Sequence, residues 1–69
     1  MKISARNVLK GKVKKVTKGA INSEVAVELS KGVEIVSVIT NKSITNLKIA
    51  KGKDVYAVVK ASNVMIAVD

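Results

Sequence analysis

The chain has 69 residues, with 13 Lys and Arg against five Asp and Glu, a formal net charge of +8, and no His, Cys, Trp or Pro. A chain of this length forms one domain, residues 1–69, and buries only about 60% of its extended surface. The absence of Cys and His excludes disulfides, the usual zinc and iron sites, and thiol or imidazole catalysis. We therefore expect a non-enzymatic domain, without a bound metal cation or cofactor, that gains stability by associating with other subunits.

Charge and the short apolar runs bear on compartment and partners. No apolar stretch approaches the length of a membrane-spanning helix, and no hydrophobic signal core follows the opening residues Met1–Arg6. We therefore expect a cytoplasmic protein. The positive charge predicts an anionic partner, which is nucleic acid, lipid headgroups or a small oxyanion, and charge alone does not choose among these.

Alternating apolar residues predict strands along most of the chain. The first strand is predicted over Asn7–Thr17, and the adjacent Lys14 and Lys15 interrupt its alternation, which indicates a bulge or bend. Residues 24–29 alternate cleanly. They predict a half-buried strand with valines and a leucine on one face and glutamates on the other.

The later strands are apolar on both faces. They are predicted over Val33–Thr40, Asp54–Lys60 and Val64–Val68. A barrel this small covers only one face of such a strand with its own core, so we expect the other face to meet a second subunit. Residues 40–47 depart from this pattern and predict a short helix, capped by Thr40 or Asn41, that plugs one end of the barrel.

The order of three strands, a helical turn and two strands predicts an all-β fold. It matches a five-stranded, OB-like Greek-key barrel with one short helix, assembling as an oligomer. An SH3-like barrel is the alternative architecture.

Two short clusters of hydrogen-bond donors lie near the ends of the chain. Ser4–Asn7 and Lys60–Asn63 each combine a hydroxyl, a cation and an amide, and neither contains a carboxylate. Ser and Asn are also ordinary turn residues, and Asn63 could simply hold a tight reversal before the last strand. The clusters are therefore candidates for an anion site, with a structural turn as the alternative interpretation.

Lysines recur between residues 10 and 18, along the first predicted strand. On an OB-like barrel they could track the phosphates of single-stranded nucleic acid, which is the alternative function to oxyanion binding. Such sites also stack bases on aromatic side chains, and Tyr56 is the only aromatic residue here. The simpler interpretation is a solvated edge that discourages aggregation between strands.

Several motifs together resemble the molbindins, the small molybdate-binding Mop proteins. The opening Ile3–Val13, with its Ser-Ala-Arg-Asn run, is similar to the start of that family. Val38–Thr40 before the helix, Leu47 followed by Gly52, and Val59–Met65 with its Lys-Ala-Ser run are similar to later parts of the family in order and spacing. The resemblance covers essentially the whole chain.

This resemblance implies a protein that binds molybdate and tungstate. We expect it to store, buffer or hand on the oxyanion without a catalytic step, with no membrane partner and with nucleic acid as the less favoured alternative. It implies a homo-oligomer, a hexamer built as a trimer of dimers, with oxyanion sites between subunits. One class of site would be lined by Ser4, Ala5, Arg6, Lys60, Ala61 and Ser62. A second class, near a symmetry axis, would use the turn of Gly19, Ala20 and Ile21, with a hydroxyl from Thr40.

The donor clusters also fit that ligand on physical grounds. Molybdate is a tetrahedral dianion whose oxygens only accept hydrogen bonds at neutral pH, so its pocket needs donors on every side and no carboxylate. Ser4, Arg6, Lys60 and Ser62 meet this requirement. Hydrogen phosphate carries a proton that needs an acceptor, so we expect it to bind less well, whereas sulfate differs from molybdate mainly in its smaller size.

Overall fold

The computed structural model describes residues 2–69, which contain four strands and one short helix. The elements are β1 (Asn7–Lys18), β2 (Asn22–Ser30), β3 (Val33–Thr40), α1 (Asn41–Asn46), β4 (Asp54–Val59) and a 3-10 turn at Ala61–Asn63. The strands form one antiparallel, curled sheet in the order β3-β2-β1-β4. No helix in this described part of the chain is long and apolar enough to cross a membrane.

β1 pairs with two strands along its length. Its first half pairs with β4 and its second half with β2. The register with β2 shifts between Val13 and Lys15, which confirms the predicted bulge. Val13 and Val16 are three residues apart, so strict alternation would turn them to opposite faces. The extra residue keeps both on the inner face, opposite Val27 and Val25 respectively.

The core lies between the inner faces of β1 and β2. Val13, Val25 and Val27 are buried, with exposures of 1%, 4% and 4%. Half-buried side chains from the surrounding elements pack against these valines, namely Val16, Leu29, Ile35, Ile39, Ile44, Ile49 and Val55. At Gly11 the strands approach so closely that an added Cβ would lie 2.6 Å from Val27 Cγ1, so the position requires glycine.

Local capping interactions begin and end α1, as a helix this short requires. Thr40 is the N-cap, as predicted, and its Oγ1 accepts a hydrogen bond from the Ser43 amide at 3.1 Å. After the last turn the Ile49 amide donates to the Ile44 carbonyl at 2.9 Å, and Lys48 between them has a φ of 54°. This closing turn packs Ile44 and Ile49 against the core.

The fifth predicted strand does not form within residues 2–69 of a single chain. Val64–Asp69 pairs with no strand, and Met65, Ile66 and Val68 are 92%, 88% and 92% exposed. The expectation that both faces of this segment are buried is therefore wrong for one isolated chain. The physical reason is that the segment leaves the sheet through the 3-10 turn and meets no partner backbone on its own chain.

The sheet consequently stays open between its two edge strands, β3 and β4. A cavity of about 350 Å³ lies along this gap, which we call the open seam, and residues of both edge strands line it. Val36, Val38, Tyr56 and Val58 on these strands are between 47% and 66% exposed. The single chain thus covers only one face of each edge strand, and the expectation that a second subunit covers the other face stays a prediction.

Candidate functional site

The adjacent ends of β1 and β4 place the two donor clusters at one end of the sheet. Asn7 and Val59 form the last pair of the antiparallel β1–β4 ladder. Ser4–Arg6 directly precede this pair and Lys60–Ser62 directly follow it, so both clusters lie at the same end of the sheet, although they are near opposite ends of the sequence. We call these six residues the basic end.

The basic end holds cations and hydroxyls without a carboxylate among them. Neither Arg6 nor Lys60 forms a salt bridge with another residue in the described range 2–69. Four of the five acidic residues lie on other parts of the sheet: Glu24, Glu28 and Glu34 on β2 and β3, and Asp54 at the opposite end of β4. The electrostatic potential at this end is therefore positive and locally uncompensated.

Most of the basic end is exposed in one chain, with only Ala5 half-buried. An anion bound there would keep much of its hydration, and its interactions with Arg6 and Lys60 would be screened by water. Charge-assisted hydrogen bonds become stronger where water is excluded. A tight oxyanion site at this position therefore needs a second surface to cover it.

The 3-10 turn fixes the backbone on the Lys60 side of the basic end. The Asn63 amide donates to the Lys60 carbonyl at 2.9 Å, and the Val64 amide donates to the Ala61 carbonyl at 3.2 Å. These bonds leave the amides of Ala61 and Ser62 without a partner inside the turn. Backbone donors thus add to the side-chain donors at this end.

The residues of the second predicted site also converge. Gly19, Ala20 and Ile21 form the turn between β1 and β2, and Thr40 lies beside it because Thr40 pairs with Asn22. A Cβ at Gly19 would collide with the Asn22 carbonyl, so the turn requires glycine. We call this group the 19–21 turn.

The hydroxyl of Thr40 is already occupied in this arrangement. It donates to Ser43 Oγ at 2.9 Å and accepts from the Ser43 amide at 3.1 Å. Since a hydroxyl has one proton to donate, an anion would have to replace Ser43 Oγ as its acceptor. The first role of Thr40 is therefore to cap α1.

Sequence reasoning missed two residues that hold the 19–21 turn in place. The Asn41 side-chain amide donates to the Gly19 carbonyl at 2.9 Å, and its backbone amide donates to the Ile21 carbonyl at 2.8 Å. The Ser23 hydroxyl, 2% exposed, donates to Asn41 Oδ1. A signal was present, because Ser23 occupies the same alternating face of β2 as Val25 and therefore points inward.

The lysines of β1 are partly neutralised within the chain. Lys12 lies 3.3 Å from Asp54, and Lys14 lies 2.7 Å from Glu34 and 3.9 Å from Glu28. The hydrogen bond that Lys14 Nζ donates to Glu34, together with the negative charge of that carboxylate, raises the pKa of Lys14 above its usual value. β1 therefore lacks the unbroken basic track that phosphate binding along a nucleic acid would use.

Comparison with known proteins finds matches over nearly the whole chain. Residues 3–66 match the TOBE domain family. Molybdenum-pterin-binding protein 3 of Clostridium pasteurianum is 46% identical over 66 residues, which cover 96% of this chain and 97% of that protein. MopII from Clostridium pasteurianum has a TM-score of 0.90 and 43% identity, covering 97% of this chain and 100% of that one.

A molybdate-binding protein from Sporomusa ovata has the same TM-score of 0.90, with 37% identity over 97% of this chain and 98% of that chain. The fold and the site together define a class of protein, namely a curled β-sheet module with a cationic end that contains no carboxylate. The chain belongs to the TOBE domain family and, within it, to the Mop molybdenum-pterin-binding proteins. The resemblance seen in the sequence is thereby confirmed.

Proposed function

We propose that the chain binds molybdate as a tetrahedral dianion at the basic end and performs no catalysis. The observation that carries this proposal is that Ser4–Arg6 and Lys60–Ser62 both flank the last β1–β4 pair, with no carboxylate among them. The relative from Sporomusa ovata, a molybdate-binding protein with the same fold, supports the choice of ligand.

The chemistry of the ligand defines a role for each residue. Arg6 offers a planar fork of donors that can hold two oxygens at once, and Lys60 supplies a second positive charge, so that two cations balance the dianion. The remaining donors are the hydroxyls and backbone amides of Ser4, Ala5, Ala61 and Ser62. All oxygens of the anion can then accept a hydrogen bond without meeting a competing acceptor.

The same donor set gives an expected order of ligands. Tungstate has the same charge and tetrahedral shape as molybdate, so it is expected to bind at the same residues. Hydrogen phosphate is expected to bind less well, because its proton would face donors rather than an acceptor. Binding without a chemical step suits a cytoplasmic protein that stores the oxyanion or keeps its concentration constant.

The proposal includes a homo-oligomer, a hexamer built as a trimer of dimers, that covers the exposed donors. Six copies would carry a formal charge of +48, six times +8, and dianions bound between subunits would offset part of the repulsion. A ligand that binds only the assembled form also stabilises it by linkage. The 19–21 turn with Thr40 is the proposed second class of site between subunits.

Calorimetric titration with sodium molybdate tests the proposal, using Arg6→Ala and the matched variant Lys51→Ala. Lys51 is exposed and lies in the turn before β4, at the end of that strand away from Lys60. We expect Arg6→Ala to weaken binding roughly 10- to 100-fold, because hydrogen bonds to charged groups contribute about 1.5–3 kcal/mol. Lys51→Ala, which removes the same charge, is expected to bind like the wild type.

Equal weakening in both variants would show that net charge, rather than the basic end, determines affinity. A wild-type chain that takes up neither molybdate nor tungstate would refute the function itself. A log-log salt dependence with a steep slope on single-stranded DNA would instead favour the nucleic-acid alternative.

A further inference from the structure

A groove of about 770 Å³ lies between the bulge of β1 and the turn before β4. Lys14 and Lys15 of the bulge and Lys51 of the turn line it, together with Glu34 and several apolar side chains. We call it the lysine groove. The turn adjoins the first residue of β4 and the basic end follows the last, so six residues of strand, about 20 Å at roughly 3.3 Å per residue, separate the two.

The bulge of β1 supplies two adjacent lysines to this groove. In a regular strand, neighbouring side chains point to opposite faces of the sheet. The register of β1 against β2 skips Lys14, which stands between Val13 and Lys15 without a paired residue of its own. Lys14 and Lys15 consequently line the same groove. Bulges commonly redirect side chains in this way beside functional sites.

Backbone hydrogen bonds hold the turn against the bulge. The Val13 amide donates to the Lys53 carbonyl at 2.9 Å, and the Gly52 amide donates to the Val13 carbonyl at 2.8 Å. Within the turn, the Lys53 amide donates to the Ala50 carbonyl at 3.1 Å. Gly52 has a φ of 91°, which glycine adopts freely. The two sides of the groove are therefore fixed relative to each other by the chain itself.

The donors of the lysine groove exceed its acceptors. Lys14 lies 2.7 Å from Glu34, whereas neither Lys15 nor Lys51 forms a salt bridge within residues 2–69. The backbone amides of Ala50 and Lys51 also donate to no other residue in that range. Two ammonium groups and two adjacent amides suit a doubly charged anion.

The rest of the lining indicates a ligand larger than a bare oxyanion. Val16, Ala26 and Ile49 are half-buried and give the groove an apolar surface. Small-molecule sites enclose roughly 300–1,000 Å³ and are mostly apolar, with a few polar groups that orient the ligand. Glu34 uses only Oε2 in its bond with Lys14, so Oε1 is available as an acceptor for a hydroxyl group.

We infer that the lysine groove binds a small organic phosphate monoester whose organic part carries hydroxyl groups. Such a phosphate is close to a dianion at neutral pH, because its second pKa is about 6. The phosphate contacts Lys15, Lys51 and the two amides, the organic part lies on the apolar surface, and a hydroxyl donates to Glu34. The inference does not depend on the proposed function and uses none of the residues assigned to molybdate.

Titration of the isotope-labelled wild type with adenosine monophosphate, followed by heteronuclear NMR at physiological ionic strength, tests the site. We expect saturable shifts of the amide signals of Ala50 and Lys51, while those of Ala61 and Ser62 stay unchanged. Adenosine and inorganic phosphate each offer only part of these contacts. Both are expected to bind at least about tenfold more weakly than adenosine monophosphate.

Two variants separate the charge of the groove from its space. Lys15→Ala is expected to weaken binding about five- to tenfold, because it removes a charge-assisted hydrogen bond from a partly exposed site. Ala50→Phe keeps the charge and fills the groove, and is expected to weaken binding at least as much. The matched control is Lys31→Ala, in the exposed turn between β2 and β3, which is expected to bind like the wild type. Circular dichroism first confirms that all three retain the sheet.

Equal weakening by Lys31→Ala would overturn the inference, because net charge would then determine affinity. Inorganic phosphate that binds as tightly as adenosine monophosphate would overturn the class of ligand. Shifts at Ser62 that excess molybdate reverses would place the phosphate at the basic end and overturn the groove as its site. A chain that binds adenosine monophosphate in the groove and takes up no molybdate would refute the proposed function and leave this inference intact.

Discussion

The two halves of the sheet differ in how far they bury the same kind of apolar, alternating sequence. Where β1 crosses β2, the inner faces meet within one chain, and Val13 and Val27 are buried. Where β1 meets β4, the inner face opens into the open seam, and the apolar segment Val64–Val68 after β4 is exposed to water. Both halves are built from alternating β-branched residues. The pattern of a strand therefore indicates that it needs a partner, without indicating that the partner belongs to the same chain.

Replacing one buried and one exposed valine is expected to give the largest difference in the free energy of unfolding between these halves. Val13→Ala is expected to lower the free energy of unfolding by about 2 kcal/mol, since it removes packed methyl groups from the core and leaves a void. Val68→Ala is expected to change nothing in samples dilute enough to contain single chains. Urea unfolding at a fixed chain concentration measures both.

Similar losses for the two variants under those dilute conditions would contradict the comparison, because they would place the segment Val64–Val68 inside the folded chain.

We call the part of the sheet where β1 crosses β2, together with β3 and α1, the closed half. Its elements were predictable because local sequence determines them. The alternation of β2, the interruption at Lys14 and Lys15, and the N-cap Thr40 all act within a few residues. The fifth strand was not predictable as a feature of one chain. Val64–Val68 has the composition of a strand, but whether it pairs depends on a partner edge that local sequence does not specify.

The chemistry of the candidate site was predictable, and its position in the fold only in part. The donors of Ser4–Arg6 and Lys60–Ser62 could be identified from residue type, and their place at the same end of the sheet follows from one antiparallel register, Asn7 with Val59. Asn41 was predicted only as a possible helix cap. Its contacts with the Gly19 carbonyl and the Ser23 hydroxyl depend on how β2, β3 and α1 come together, which a local pattern does not reveal.

Asn41→Ala tests how much the side-chain hydrogen bonds of Asn41 at the 19–21 turn stabilise the fold. The substitution removes the hydrogen bond to the Gly19 carbonyl and leaves the buried Ser23 hydroxyl without its acceptor. We expect a loss of about 1–3 kcal/mol in the free energy of unfolding, which is the usual penalty for an unsatisfied buried polar group. Asn46→Ala, at an exposed position in the same helix, serves as the control in the same urea titration.

If Asn46→Ala is as destabilising as Asn41→Ala, then helix propensity explains the effect, and the hydrogen bonds of the Asn41 side chain do not. Asn41→Asp offers a further check, because it retains an acceptor for Ser23 and loses only the donor to Gly19.

Lys48→Gly is expected to stabilise the chain where α1 closes onto the core. The φ of 54° at Lys48 strains a side chain with a Cβ by about 1–2 kcal/mol, whereas glycine adopts it freely. The extra freedom of glycine in the unfolded chain offsets about 0.4–1 kcal/mol of this, which leaves a gain of about 0.5–1 kcal/mol. The rise in thermal midpoint measures the effect.

Lys42→Gly, at the second residue of the same helix, is expected to have the opposite effect on stability. Glycine there is expected to destabilise by about 0.5–1 kcal/mol, because it adds unfolded-state entropy without relieving strain. Two substitutions of the same type that both destabilise would show that the closing turn does not depend on the conformation of Lys48.

The smallest expected effect concerns the outer side of the closed half, where Lys14 at the bulge joins β1 to Glu28 on β2 and Glu34 on β3. The hydrogen bond that Lys14 donates to the Glu34 carboxylate raises the pKa of Lys14 above its usual 10.5 in the folded chain. A raised pKa means that the folded state holds this proton more tightly than the unfolded state does. The contribution of Lys14 to stability is therefore complete below pH 10.5 and is lost as the pH rises through the higher folded value.

Lys14→Gln, compared with Lys15→Gln, isolates this contribution in urea titrations at pH 7, 9 and 11. Both variants lose one charge, and Lys15 forms no ion pair in the described part of the chain. We expect the difference between the variants to be small and equal at pH 7 and 9, because Lys14 is protonated in both states, and to diminish by pH 11. A difference that grows with pH would mean that the ion pair at the bulge does not stabilise the closed half.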